Sequence, residues 1–151
     1  MNLLRRLKFL FLVLLIAGTA AGQAEAETSD VMALATLDRF MHAFNDQDIK
    51  AWAATLHYPH VRFASSQVMI YDSAATFQDR SVFPALQAAG WHHSLWTSRT
   101  ITLSSDTKVH IDTEFERQTA DNHTIERYRS LYIVTKKDGN WGIQARSSLA
   151  P

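Results

Sequence analysis

"VHIDTEFERQTADNHTIERYRSLYIVTKKDGNWGIQARSS", from Val109 to Ser148, is the stretch whose reading decides the fold. Its β-branched and aromatic runs are divided by two polar breaks, and Asp138-Gly139 in the second is the dipeptide that a two-residue hairpin turn prefers. A matching two-residue turn at Asp121-Asn122 sets Arg117 opposite Glu126, Glu116 opposite Arg127 and Glu114 opposite Arg129. It also brings Phe115 to Tyr128 and Ile111 to Tyr132. Cross-strand pairs of these kinds each favour a register by roughly 0.2–1 kcal/mol, so one assumption that satisfies all of them specifies the pairing. The turn at Asp138-Gly139 then predicts Val134 beside Ile143, Tyr132 beside Ala145 and Ser130 beside Ser147.

Side chains alternate along a strand, so this register sorts the residues onto two faces. Val109, Ile111, Thr113 and Phe115 share one face with Tyr128, Ser130, Tyr132, Val134, Trp141, Ile143, Ala145 and Ser147. The other face carries His110, Asp112, Glu114, Glu116, Arg127, Arg129, Leu131, Ile133, Gln144 and Arg146. The first is the face that a helical layer covers. The strand between Trp91 and this segment stays open, because the "SSDT" turn at 104–107 allows two registers with opposite side chains inward.

Upstream the spacing is helical. Val31, Leu34, Leu37, Met41 and Phe44 recur at three- and four-residue steps, with Asp30 as an expected N-cap. Asn45-Asp46-Gln47 breaks the pattern, and Asp48 caps a second helix from Ile49 to about Leu56. In "LHYPHVRF", residues 56–63, proline disfavours helix before it, so the helix is expected to finish by His57. His60–Ala64 alternates as a strand with Val61 and Phe63 on one face, and Val68–Tyr71 is a second short strand. Asp72 is expected to cap a third helix across "SAATFQDRSVFPALQAAG", with a new turn or kink at Pro84 and Gly90 at its end.

Residues 1–26 read as a leader. Arg5, Arg6 and Lys8 precede the apolar run Phe9–Ala17, and Ala24-Glu25-Ala26 closes it with small residues. That is the pattern of a secretory signal peptide cleaved after Ala26. Roughly nine strongly apolar residues are too few to span about 30 Å of hydrocarbon, which argues against stable membrane insertion after cleavage. The expectation is one mature domain, residues 27–151, exported to a periplasm or secreted. Cleavage takes Lys+Arg from 15 to about 12 and Asp+Glu from 15 to about 14, so a net charge near −2 with no basic stretch excludes nucleic acid as a partner. There is no cysteine, which excludes disulfides, Cys-based zinc sites and lipidation through an N-terminal cysteine. "NHT" at Asn122 is a formal glycosylation acceptor in a turn.

Two segments carry a family resemblance. "FMHAFNDQDIKAWAATL" (40–56) resembles the opening of the nuclear transport factor 2-like superfamily, with its SnoaL-like and ketosteroid isomerase-like domains: an aromatic-rich helix, a polar break, an Asp and a second short helix. "YIVTKKDGNWGIQARSS" (132–148) resembles that superfamily's closing hairpin. The resemblance implies an α+β cone, a curved antiparallel sheet covered on one face by three N-terminal helices, enclosing an apolar pocket and often dimerising through the outer face. It implies little about reaction, since this fold hosts isomerases, dehydratases, cyclases and binders.

The small and hydroxyl residues at the centre of the covered face leave room there. They place an expected small-molecule pocket over Thr113, Ser130 and Ser147, with Tyr58, Trp91, His92 and Tyr128 nearby. The outer face, with Glu114, Arg127, Arg129, Leu131 and Arg146, is the expected homodimer surface. Metal binding is not expected. Pro59 interrupts the His57-x-x-His60 spacing, and no carboxylate stands at ligand spacing to His92, His93 or His110. No cofactor is implied. Asp112, Glu114 and Glu116 fall on the face away from the pocket, so no isomerase-type base is assigned, although histidines and tyrosines leave a dehydratase-like alternative open. A non-catalytic interaction module is the third reading.

Overall fold

The computed structural model describes residues 18–65 and 67–151, with side chains from Ser29 onward. The basic and apolar residues of the expected leader, Arg5 to Ala17, lie outside the described residues. Helix α1 spans Gly18–Asn45. It runs straight through Asp30 instead of starting there, as the alanines, glutamates and glutamine of the preceding segment favour helix while Gly18 and Gly22 do not. Asp30 accepts a hydrogen bond from the Ser104 hydroxyl and caps nothing. The stripe facing the sheet is Ala33, Leu37, Phe40 and Ala43, while Val31 is exposed. Asp48 does cap α2 (Ile49–Ala54), accepting from the Ala51 N–H at 2.9 Å.

Thr55 ends α2, and "LHYPHVRF" is wholly strand β1, Leu56–Phe63. His57 is therefore a strand residue, not a helix terminus as its sequence position suggested. β1 turns back into β2 (Val68–Tyr71), pairing His60 with Tyr71 and Phe63 with Val68. The expected third helix is two: α3 (Ala74–Gln78), capped by Ser73 and not Asp72, and α4 (Phe83–Ala88), which Pro84 opens. Proline's fixed φ and missing N–H suit a first turn and no interior position, so the chain breaks before it.

Four long strands follow: β3 (His93–Ser105), β4 (Lys108–Gln118), β5 (Thr124–Lys137) and β6 (Asn140–Ser148). The β4–β5 ladder carries every pair read from the sequence, from Ile111–Tyr132 and Phe115–Tyr128 to Arg117–Glu126. The Asp138-Gly139 turn has both residues at positive φ, 50° and 80°. The sheet order is β2-β1-β6-β5-β4-β3, antiparallel except where β1 lies parallel to β6. Helices on one face of an unclosed, curved six-stranded sheet make the expected α+β cone.

An aromatic cluster joins the layers. Phe40 packs edge-on against Trp52 at 5.5 Å and Tyr132 at 5.6 Å, and Trp52 meets Phe77 at 4.9 Å. Burying each such side chain contributes roughly 1.5–3 kcal/mol.

The β5–β6 register differs from expectation, and at the end of β4 Gln118 pairs with Thr124 where the two-residue turn predicts Ile125. Val134 faces Ile143 as read, but Ile133 then faces Ala145, Tyr132 faces Arg146 and Ser130 faces Ser148. Gln144 is an extra residue, a β-bulge that puts two residues of β6 opposite one of β5. Its side chain donates to the Pro59 carbonyl, where β1 and β6 also fall out of step. A one-residue shift reverses every side chain beyond it. Ser147 turns out to solvent, Ser148 is buried, and Arg146 leaves the outer face for the covered one.

Candidate cavity between sheet and helices

Beneath the helices is a cavity of about 440 Å³. Phe40, Met41 and Phe44 of α1 form one wall and Trp52 of α2 another. Phe115 and Tyr132 of the sheet form the floor, with α4 and the segment before it (Arg80–Val82) along the rim. Among the described residues this lining is overwhelmingly apolar and includes no Asp, Glu or His. Its polar members include two serines, Ser81 and Ser94, the hydroxyl-bearing Tyr132, and four arginines: Arg62, Arg80, Arg117 and Arg146.

Each arginine is delivered by a local feature. Arg62 follows His60 by two in β1 and shares its inward face. His60 is 3% exposed and Phe63 is 48% exposed, so the polar side of that strand faces in and the apolar side faces out. Arg80 sits between α3 and α4, its guanidinium 4.9 Å from the Phe77 ring centroid and 5.1 Å from that of Trp52. Arg117 ends the covered row of β4 and lies over Tyr128 at 4.8 Å. Arg146, turned inward by the bulge, lies 5.1 Å from the Tyr132 ring and 5.6 Å from Phe115.

Their side-chain hydrogen bonds go to hydroxyl and main-chain oxygens. Arg146 donates to Ser148 Oγ at 2.9 Å and Ser130 Oγ at 3.3 Å. Arg62 donates to the main-chain oxygens of Ala150 at 3.4 Å and Pro151 at 3.1 Å. The Nε atoms of Arg62, Arg117 and Arg146 are buried with no acceptor. Among the described residues, the arginines paired with carboxylates are Arg99, Arg127 and Arg129, and none of these lines the cavity. Burial, then the charges of Arg146 and Arg80, lowers Arg62 to about 10. Burial likewise lowers Arg80 and Arg117, with Arg146 adding to both shifts.

The residues expected to bind ligand stand around this cavity without lining it. Thr113 is buried and donates to the Ser130 carbonyl at 3.0 Å, and Ser130 bonds Ser148 at 2.9 Å, so these hydroxyls satisfy one another. Ser147 lies in a shallow depression with Asp112, Arg129 and Leu131 on the opposite face. Tyr58 donates to the Ala53 carbonyl at 2.8 Å, and burial pushes its hydroxyl up to about 12. Trp91 is buried behind Phe44 at 5.1 Å and donates to Ser94 Oγ at 2.9 Å. His92 is exposed against His93, and Tyr128 supports Arg117 from the side. Sequence reasoning missed the arginines, though a signal for two of them existed. The predicted ladder matched Glu114, Glu116 and Glu126 to other arginines and left Arg62 and Arg146 with no acid.

The histidines of "LHYPHVRF" are structural. His57 meets Thr135 Oγ1 at 2.9 Å, and burial depresses its ring. His60 Nδ1 meets the Ile143 carbonyl at 3.1 Å, and burial first, opposed by that bond and aided by three nearby arginines, lowers it to about 4. Among the described residues, no group of three or more His, Asp or Glu side chains could hold a metal ion. None of the described helices is long and apolar enough to cross a membrane.

The outer face keeps Glu114, Arg127, Arg129 and Leu131 but not Arg146. Arg127 pairs with Glu116 at 2.6 Å as read, whereas Arg129 reaches diagonally to Asp112 at 2.6 Å and Glu114 accepts from Thr97 at 3.1 Å. The partners change because strand twist brings a diagonal neighbour within reach of a long side chain.

The family model described as NTF2-like protein (DUF6841) matches residues 27–150. Among solved structures, an NTF2-like protein with a cystatin-like fold from Novosphingobium aromaticivorans is 10% identical, covers 84% of this chain and 84% of its own, and superposes with a TM-score of 0.68. A ketosteroid isomerase-like protein from Erwinia carotovora atroseptica is 16% identical over 80% of this chain and 96% of its own, with a TM-score of 0.59. A Catenulispora acidiphila protein in complex with S-DNPA is 13% identical over 82% of this chain and 93% of its own, at 0.61. At such identities the likeness is one of fold. No curated protein matches the sequence.

Proposed function

Because the chain belongs to the NTF2-like family described as DUF6841, we propose that it is an exported small-molecule-binding protein whose ligand occupies the cavity between sheet and helices. The observation that carries this reading is the cavity itself. About 440 Å³ lined by Phe40, Trp52, Phe115 and Tyr132 falls within the range of roughly 300–1,000 Å³ typical of small-molecule sites, with a few polar groups to orient what binds. The missing Asp, Glu or His in the lining favours binding over an isomerase-type reaction, which needs a base within reach of the substrate. Export, to a periplasm or outside the cell, is argued from the basic, apolar and small-residue order of residues 5–26. Homodimerisation through the outer sheet face is argued from Leu131, Leu95 and Leu103, exposed beside the ion pairs of Arg127 and Arg129.

The test is native mass spectrometry of the protein recovered from the export compartment, followed by denaturation to release what it holds. A defined small molecule at one per chain is the expected result. A chain that is always empty and binds no apolar probe, dimeric or not, sinks the reading in favour of an interaction module.

A further inference from the structure

We infer that the ligand is an amphipathic organic anion, an aromatic or hydrocarbon body ending in an oxyanion, with Arg146 receiving the charge and Arg62 and Arg80 beside it. This rests on the reading of the cavity as a small-molecule site and adds the chemical class of what enters it.

Charge is the first argument. Four guanidinium groups border one apolar space, and no Asp or Glu side chain of the described residues is paired with any of them. Arginine stays protonated at any working pH, so like charges gathered in a poorly solvated site repel one another until an anion joins them. The mutual effect is visible in Arg146, which lowers the pKa of Arg62, Arg80 and Arg117 alike. Unused donors are the second argument. Among the described residues the buried Nε atoms of Arg62, Arg117 and Arg146 have no acceptor, and the other nitrogens of Arg146 reach neutral serine hydroxyls. A buried donor left unpaired is destabilising, and a charge-assisted bond to an oxyanion would satisfy it. The third argument is position. Arg146 lies across the rings of Phe40, Phe115 and Tyr132, so an anion meeting it there sets its attached body against those same aromatic walls.

The experiment is calorimetric titration of the purified chain with three molecules that share one body: neutral 1-naphthol, 1-naphthoate and 1-naphthyl phosphate. At least one anion is expected to bind about ten- to a hundredfold more tightly than naphthol. The tighter of the two tells a carboxylate ligand from a phosphate ester. Arg146→Gln is expected to bring the ratio of anion to naphthol affinity down to about one. Since Arg146 also holds Ser130 and Ser148, Arg80→Gln, whose guanidinium contacts the rings of Trp52, Tyr71 and Phe77 and makes no side-chain hydrogen bond among the described residues, provides a second variant with the same expected direction. Equal binding of all three molecules, or an anion preference that survives both substitutions, overturns the inference and leaves the binding function standing. Binding of none of them by the folded wild-type chain overturns both.

Discussion

Gly142→Ala tests how β6 is seated. A Cβ at this position would meet His57 at 2.5 Å from Cδ2, 2.7 Å from Nε2 and 2.9 Å from Cγ, so the ring must move. It is not free to swing, because its other nitrogen meets Thr135 at 2.9 Å. Gly142 pairs directly with Thr135 across the ladder, which places the clash and the hydrogen bond on the same two strands. Overpacking costs roughly 1–3 kcal/mol and the lost bond about 1 kcal/mol. The reduced freedom of the unfolded chain returns about 0.4–1 kcal/mol, since this glycine needs no positive φ. The net expectation is a loss of about 2 kcal/mol, seen in urea denaturation as a lower midpoint at unchanged slope and in melting as a fall of about 5–10 °C. The sign is expected to reverse in a His57→Ala background, where the space opens and the same substitution becomes neutral or mildly stabilising. A Gly142→Ala protein as stable as wild type, or one equally destabilised with and without His57, would refute the argument.

Phe77→Ala removes a ring that is 1% exposed and contacts Trp52, Tyr71, His60 and Arg80, and is expected to cost about 3–5 kcal/mol in denaturant titration. His60 is held at about 4 in the folded chain against an ordinary value near 6.5, so the unfolded chain binds more protons between those values. Stability is then full above about pH 6.5 and falls as the pH drops toward 4, by about 3 kcal/mol in all, with His57 acting in the same direction. Urea midpoints measured from pH 4 to 7.5 are expected to show that slope, and His60→Gln to flatten most of it. A slope unchanged by the substitution assigns the effect elsewhere. Asp48→Ala leaves the Ala51 N–H without its cap and is expected to lower stability by about 1 kcal/mol, while Asp48→Asn keeps an acceptor and most of the stability.

The parts of the fold that the sequence by itself determined are those carried by neighbours within one hairpin or one turn. The β4–β5 pairing followed from Glu116, Arg117, Glu126 and Arg127, the tight turn from Asp138-Gly139, and the start of α2 from Asp48, each a local preference that tertiary packing left undisturbed. The family resemblance was legible for the same reason, since its two segments are a helix–break–helix and a hairpin. The turn or kink at Pro84 was legible from proline's backbone chemistry, and the structure makes it a full separation into α3 and α4.

The cavity's composition depended on contacts between residues far apart in the chain. Whether Arg146 faces out with Arg129 or in with Tyr132 turns on one extra residue, Gln144. That bulge sits where β6 meets a parallel β1 and the Gln144 side chain reaches the Pro59 carbonyl, more than eighty positions away. Ser147 and Ser148 are the same residue type, so composition could not say which one is buried. By alternation Val61 and Phe63 share one side of β1 and His60 and Arg62 the other, with nothing in the sequence to say which side is covered. Only the position of β1, between β2 and β6 under the aromatic cluster, turns the polar pair toward the interior. Alternation tells which residues share a face, but which face is covered depends on packing, and in β1 and the end of β6 that packing set the arginines around the cavity.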